Sequence, residues 1–272
     1  MNAYIFDVDG VITDPEKRVI DHPEIITLIV NLLLAKNTVA FISGRALPWL
    51  KERLLNDFYS YIKINNLDIA IFNNVFISGE FGGSNIFFEN GALKENINLE
   101  LRLESELVKQ ATDATKQFSD IVFIDKDKQT QFTAEMQNET TVVDFAKHEH
   151  EIANSFTKIV RKLGLEETVE VQEDRIAINI KCRLANKMLA TKQFLDWLSF
   201  KNFHPEKIKA FGDSVSDLEI GHELRKNNLN FDFIYVGNPQ DIKHDINFPI
   251  ISTLQKFGKE TDEGTLEYLK TE

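Results

Sequence analysis

Cysteine is almost missing from this chain of 272 residues, with Cys182 the only one. A lone cysteine excludes an intramolecular disulfide and suits a reducing compartment, so a cytoplasmic location is expected. Proline is scarce as well, at six residues, and neither proline nor serine gathers into a linker. No repeat or low-complexity tract is found. Long hydrophobic runs are also absent. The most apolar stretch, residues 25–35 (IITLIVNLLLA), is interrupted by Asn31 and falls well short of the about 20 apolar residues a membrane span needs. It is expected to be a core helix, so no membrane association is expected. The first ten residues, MNAYIFDVDG, carry acids and no basic stretch, so no secretory leader is expected. Positive charge is in deficit: 31 Lys+Arg face 43 Asp+Glu, a net charge of −12. Nucleic acid is therefore not expected as a partner, because a phosphate backbone requires a basic footprint. A small anion is still admissible, given local cations or a metal.

The chain is long enough for about two domains, and 43% of it is hydrophobic, ample for a proper core. Short apolar runs alternate with longer periodic ones. Residues 3–6 (AYIF) and 38–42 (TVAFI) read as buried strands, and 24–35 and 47–58 as helices. The alternation returns late in the chain: 187–200 helical, 208–211 a strand, 216–226 helical, 233–236 a strand. Such a pattern predicts an α/β domain with a parallel sheet and helices on both faces. The middle differs. After the glycines of GEFGG (79–83) and a short run at 86–89, residue ranges 121–125, 131–136, 141–145, 166–171 and 176–180 read as strands, and 99–118 and 149–163 as helices. An α+β module is thus expected at 79–181, inserted into an α/β domain made of 1–78 and 182–272, with boundaries near 79–84 and 181–186.

Four short segments carry the chemistry. Asp7-Val8-Asp9-Gly10 directly follows the first strand. Residues i and i+2 at a strand end point to the same side, and Gly10 permits a sharp turn there. In open α/β sheets the binding crevice lies outside the carboxyl ends of the strands. Ser43-Gly44-Arg45 follows the next strand and offers a hydroxyl, an amide and a guanidinium, donors that suit phosphate oxygens. Gly212-Asp213-Ser214-Val215-Ser216-Asp217 supplies two more acids beyond a third strand. A hard cation such as Mg²⁺ takes oxygen ligands of this kind. Lys187 begins a predicted helix, where a cation opposes the helix dipole unless an anion sits nearby.

Blander readings compete. Asp-Gly is a common turn dipeptide, although two acids abutting a buried strand are costly to desolvate. Ser216 and Glu219 together form a capping-box pattern, expected to orient the loop that carries Asp213. Lys181 and Lys192 rival Lys187, and only the order of the four segments selects the latter. His148-Glu149-His150 lacks a third metal ligand at matching spacing and reads as a solvated helix end. Asn238, in Gly237-Asn238-Pro239, is as good a turn residue as a substrate contact. The 21 phenylalanines are scattered through strands and helices and read as core.

In that order, DVDG, SGR, a mid-chain lysine and GDSVSD, the segments resemble the haloacid dehalogenase (HAD) superfamily. The resemblance covers 1–78 and 182–272. The size of the insertion resembles a C2-type cap, and SGR with Asn186-Lys187 fits the Cof-like, sucrose-phosphatase-like and phosphomannomutase-like branch. One position departs from the usual DxDGT: Val11 stands in place of the threonine, and Thr13 follows two residues later.

The resemblance implies a Rossmann-like core with an inserted α+β cap, and a Mg²⁺-dependent phosphatase acting on a small phosphate ester, a sugar or polyol phosphate. Asp7 would be the nucleophile and form an aspartyl phosphate, and Asp9 the acid and then the base. Lys187 and Ser43, with Gly44, would hold the transferring oxygens, while Arg45 and Asn238 would touch the substrate. Asp7, Asp9 through its carbonyl, and Asp213 would hold Mg²⁺, with Asp217 behind them or acting through water. The cap would exclude water and select the leaving group. Displacing a halide needs neither a proton donor at Asp9 nor a magnesium site, so dehalogenation fares badly. A phosphomutase sharing the motifs is the alternative, followed by a silent ligand-binding relative and, more remotely, a phospho-acceptor signalling domain. A small phosphorylated metabolite is the expected partner, and the state a monomer or small homo-oligomer.

Overall fold

A computed structural model describes residues 1–174, 176–243 and 246–272. The chain divides into two compact units, Met1–Asn96 with Asn186–Glu272, and Ile97–Ala185. Among the described residues no helix is long and apolar enough to cross a membrane.

The first unit is built on an eight-stranded sheet. Its strands are β1 (Ala3–Asp7), β2 (Thr38–Ile42), β3 (Val75–Gly79), β4 (Ser84–Glu89) and β5 (Ala92–Ile97), then, beyond the insert, β10 (Ile208–Gly212), β11 (Phe231–Tyr235) and β12 (Ile250–Ser252). The order is β12-β11-β10-β1-β2-β3-β4-β5. The six strands from β12 to β3 run parallel, and β4 turns back antiparallel on β3. Parallel strands covered on both faces should be apolar throughout, and β1, β2 and β3 are buried at every position. Ala3, Ile5, Ala40, Ile42 and Phe76 share one core with Ala190, Phe194 and Trp197 of the helix Lys187–Phe200. Phe6 stacks on Phe211 at 4.5 Å and on Phe41 at 6.0 Å, and Phe41 meets Phe58. These phenylalanines do form core, whereas Phe200 at the end of the helix Lys187–Phe200 is exposed.

The helices of this unit are α1 (Pro23–Leu34), α2 (Leu47–Leu50) running on through a wider turn into α3 (Asn56–Ile64), α6 (Lys187–Phe200), α7 (Leu218–Lys226), α8 (Thr253–Phe257) and α9 (Thr261–Leu269). In the second unit β6 (Val122–Ile124), β7 (Phe132–Met136), β8 (Val169–Asp174) and β9 (Ala177–Cys182) form an antiparallel sheet of order β6-β7-β9-β8. Phe132, Ala134, Ile178 and Ile180 pack in one core with residues of α4 (Ser105–Thr115) and α5 (Val142–Lys162). The alternate positions are polar: Thr133 donates to Asn179 at 2.7 Å, and Lys181 pairs with Glu170 at 2.6 Å.

Two expectations are corrected. The boundary expected near 79–84 falls within the first sheet, because β4 pairs with β3 through Gly79–Ser84 to Phe76–Phe87. Residues 141–145 are not a strand: Thr141 caps α5, its hydroxyl accepting the Asp144 N–H, and Phe145, Ile152, Phe156 and Val160 carry the helix's buried face. This apolar stripe overrides the β-propensity of Val142-Val143. The strands β3, β5 and β12 and the last two helices were not expected from the sequence.

Candidate active site

The register of the sheet brings the sequence segments together. Asp7 is the last residue of β1, paired with Ile42 of β2, and Phe6 is level with Phe211 of β10. Ser43 and Asp213 each follow directly on those neighbouring strands, so all three residues emerge at the same carboxyl edge. Beyond Asp7 the chain turns tightly. The N–H groups of Val11, Ile12 and Thr13 all point to the Val8 carbonyl, and the Thr13 hydroxyl reaches it at 3.2 Å. Val11 is fully buried, so the departure at that position leaves a turn closed by backbone and Thr13. Gly10 has φ +77°, and a Cβ there would overlap the Asp213 carboxylate. Only glycine allows the first acidic loop to lie against the third.

Asp7, Asp213 and Asp217 offer carboxylate oxygens within 4.8 Å of one another. The Lys187 ammonium donates to Asp7 Oδ1 at 2.7 Å and also to Asp217 Oδ1. Lys187, Asp7 and Asp217 are all buried. Burial raises the Asp7 carboxyl well above the usual carboxylate range, opposed by Lys187 and reinforced by Asp217 and Asp213. Burial also acts against the Lys187 cation, but Asp217 and Asp7 outweigh it and its pKa is raised. Asp213 is pushed up to about 7 by burial and then by Asp217. Among the described residues, three carboxylates thus gather beside the Lys187 ammonium.

Asp217 is bonded on both oxygens. Its Oδ2 accepts the N–H groups of Asp213 and Ser214 and the Ser214 hydroxyl, while Oδ1 takes Lys187. The capping box expected from Ser216 and Glu219 is instead formed by Ser214 and Asp217. Asp217 turns back to gather the loop amides, and Glu219 acts on a different helix, its Oε2 accepting the backbone N–H of Lys187 at 2.9 Å. With Asn186 Oδ1 accepting the Leu189 N–H, this caps α6 at the residue that carries the site's cation. The role of Glu219 was not legible in the spacing, because its partner lies on a different element.

Ser43 is buried, and its Oγ accepts the Arg45 N–H at 3.1 Å, which leaves its own proton to be donated. Gly44 lies under the Phe81 ring, which stands where a Cβ would be. Arg45 does not point away from the acids. Its Nε donates to both Asp9 oxygens, at 3.2 and 3.1 Å, and its Nη2 to Oδ1 at 2.9 Å. Asn238 Oδ1 accepts the Gln240 N–H at 3.0 Å, a turn closure of its own loop. Of the rivals, Lys192 pairs with Asp196 on the outside of α6, and Lys181 belongs to the second unit, where it pairs with Glu170. The structure thus brings Asp7, Asp9, Ser43, Arg45, Lys187, Asp213 and Asp217 to one sheet edge. Phe81 joins them unannounced, as does Trp49, whose ring centre lies 4.7 Å from the Arg45 guanidinium carbon, while Glu219 arrives in a role other than the expected one.

The fold is a mostly parallel α/β sheet with an inserted antiparallel α+β unit, and it is shared with solved structures. The C-terminal domain of Candida albicans trehalose-6-phosphate phosphatase aligns with a TM-score of 0.67 at 16% identity, over 99% of this chain and 91% of that one. Thermoplasma acidophilum 0175 aligns with a TM-score of 0.59 at 14% identity, over 100% and 97%. Plasmodium falciparum IMP-nucleotidase aligns with a TM-score of 0.58 at 15% identity, over 88% of this chain and 59% of that one, so the chain spans less than two thirds of the nucleotidase. At such identities the likeness is one of fold. No family model and no curated protein matches the chain.

Proposed function

We propose that this chain is a Mg²⁺-dependent phosphatase of the haloacid dehalogenase type, which hydrolyses a small phosphate ester through an aspartyl phosphate on Asp7. The observation that carries the proposal is the contact of buried Asp7 with Lys187 at an edge that also holds Asp9, Ser43 and Asp213. The first unit is read as the catalytic core and the second as the cap that selects the leaving group. A sugar or polyol phosphate is the favoured class. The likeness in fold to a trehalose-6-phosphate phosphatase and an IMP-nucleotidase supports a small phosphorylated metabolite.

In the first step an Asp7 oxygen bonds to phosphorus as the ester P–O bond breaks, and Asp9 protonates the departing alkoxide. In the second step Asp9 takes a proton from water, whose oxygen attacks the aspartyl phosphate and restores Asp7. The Lys187 ammonium and the Ser43 hydroxyl hold the phosphoryl oxygens on which charge accumulates. The donor set fits a hard dication: oxygens only, with three carboxylates set against the single charge of Lys187. Asp7, the Asp9 carbonyl and Asp213 would hold Mg²⁺, with Asp217 supporting Asp213 and Lys187 through its hydrogen bonds. When bound, Mg²⁺ supplies positive charge that offsets repulsion between Asp7 and an incoming phosphate dianion.

The test is phosphate release from a broad panel of esters, with Mg²⁺ and with EDTA, for wild type and Asp7→Asn. Turnover that requires Mg²⁺ and is lost in Asp7→Asn is expected. Folded protein that releases phosphate from no ester would refute the proposal, and release unaffected by Asp7→Asn would refute the covalent route.

A further inference from the structure

We infer that Arg45 serves Asp9 and not the substrate: it is a positioning residue that fixes the carboxylate of the acid/base and leaves Oδ2 as the oxygen that carries the proton. The inference deepens the proposed function, since it rests on Asp9 in that role.

The geometry of the pair is the first ground. Oδ1 accepts from Nε at 3.2 Å and from Nη2 at 2.9 Å, whereas Oδ2, among the described residues, accepts from Nε alone, at 3.1 Å. A guanidinium presented side-on in this way fixes the carboxylate plane as well as its position. Asp9 has need of it. It lies in a loop beyond the strand with its side chain 37% exposed, and among the described residues Arg45 is the side chain that bonds it.

The second ground is that Arg45 is itself held before any ligand arrives. Its guanidinium carbon lies 4.7 Å from the centre of the Trp49 ring. Its backbone N–H donates to Ser43 Oγ, and its carbonyl accepts the Glu80 N–H at 3.0 Å. The Phe81 N–H donates to the Ser43 carbonyl at 3.1 Å, so two successive amides clamp the backbone on either side of Gly44. These amides belong to an unusual turn: Glu80, Phe81 and Gly82 have φ of +52°, +55° and +92°. Non-glycine residues persist in the left-handed region only where their surroundings over-determine them. Here the surroundings include the Phe81 ring against Gly44 and a hydrogen bond from Gln193 of α6 to the Gly82 carbonyl. The turn therefore ties the Arg45 backbone to the helix that carries Lys187. A residue braced at its backbone, stacked at its guanidinium and forked onto Asp9 is built to hold an oxygen still. An error of about 1 Å in such a position costs on the order of 100-fold in rate.

The experiment compares wild type, Arg45→Ala, Arg45→Lys, Asp9→Asn and the Arg45→Ala/Asp9→Asn double variant on two esters. 4-Nitrophenyl phosphate has a leaving group that needs little protonation, and glycerol phosphate has one that needs it. The ratio kcat/KM reports steps up to loss of that group. For Arg45→Ala we expect a loss in kcat/KM on the order of 100-fold for the glycerol ester. For the nitrophenyl ester the loss should stay within about fivefold. Arg45→Lys, which keeps the charge and loses the fork, should follow Arg45→Ala. The double variant should be no worse than Asp9→Asn alone. Equal losses on both esters through a raised KM, or additive losses in the double variant, would place Arg45 on the phosphate and overturn the inference. Crystal structures of wild type and Arg45→Lys test the same point without turnover. The inference requires one Asp9 rotamer in the former and several in the latter, and an unchanged rotamer overturns it. If wild type releases no phosphate from either ester, the proposed function fails, while the rotamer comparison still decides whether Arg45 holds Asp9.

Discussion

Replacing Lys187 by methionine tests the electrostatics at the centre of the site. The substitution keeps an unbranched side chain and removes the one ammonium shared by Asp7 and Asp217, whose side chains are 8% and 0% exposed. Breaking a buried ion pair by deleting one partner costs about 3–5 kcal/mol, because the other charge stays buried without compensation. Asp217 retains three donors on Oδ2, but Asp7 loses its cation, so a loss of about 3–5 kcal/mol is expected at pH 8. For a domain of this size that corresponds to a drop in Tm on the order of 10 °C. The pH dependence has a definite sign. Burial already raises the Asp7 pKa, and loss of Lys187 raises it further. A carboxyl whose folded pKa lies above its unfolded value takes up a proton and relieves the folded state as pH falls. The destabilisation should therefore be largest at pH 8 and shrink by pH 5. Both tryptophans, Trp49 and Trp197, lie in the first unit, so urea unfolding followed by their fluorescence isolates the unit that holds the site. In the double variant with Asp217→Asn the losses should be less than additive. A loss below about 1 kcal/mol at pH 8, or one independent of pH, would refute this account of the buried cluster.

Three more outcomes follow from the same geometry. Gly44→Ala puts a methyl group into the Phe81 ring and should cost about 1–3 kcal/mol; Phe81→Ala in the same chain should restore most of it in a urea titration, and no rescue would mean another neighbour resists the methyl. Glu219→Ala removes the acceptor for the Lys187 N–H and should cost about 0.5–2 kcal/mol, as loss of a helix cap does, whereas Ser216→Ala should cost much less. Asp213, pushed up to about 7 by burial and Asp217, releases its proton as pH rises from 5 to 8. This withdraws stability from the folded state, because its folded pKa exceeds the unfolded one. Mg²⁺ should therefore raise Tm more at pH 8 than at pH 5, where protons compete for the same oxygens. An equal Tm shift at both values in differential scanning fluorimetry would count against the Asp213 assignment.

What could be read in one dimension was what depends on local order. The strand at 38–42 and the helix at 187–200 are found at the positions read from the sequence, because apolar runs and 3.6-residue periodicity are local signals. The residue types at the strand ends were legible for the same reason: Asp7 and Asp9, Ser43 to Arg45, and Asp213 to Asp217 each follow directly on an apolar run. Where local signals conflicted, reading failed. Val142-Val143 has strand propensity, yet Thr141 caps a helix there, and the apolar stripe from Phe145 to Val160 decides the matter by burial. The glycines of GEFGG read as an exit from the domain. They form instead a turn that braces Ser43 and Arg45, a role set by amides and carbonyls that any residue possesses.

The tertiary structure alone decided who meets whom. Glu219 caps Lys187 across 32 positions, and Lys187 reaches Asp7 across 180. Asp217, a candidate ligand by type, has both oxygens taken up in hydrogen bonds, and Arg45, a candidate substrate contact by type, has its guanidinium on Asp9. Residue type determines what a group can donate, accept or carry. Whether it does so depends on which partner the packed sheet brings within about 3 Å, and on how much water the packing removes from around the pair.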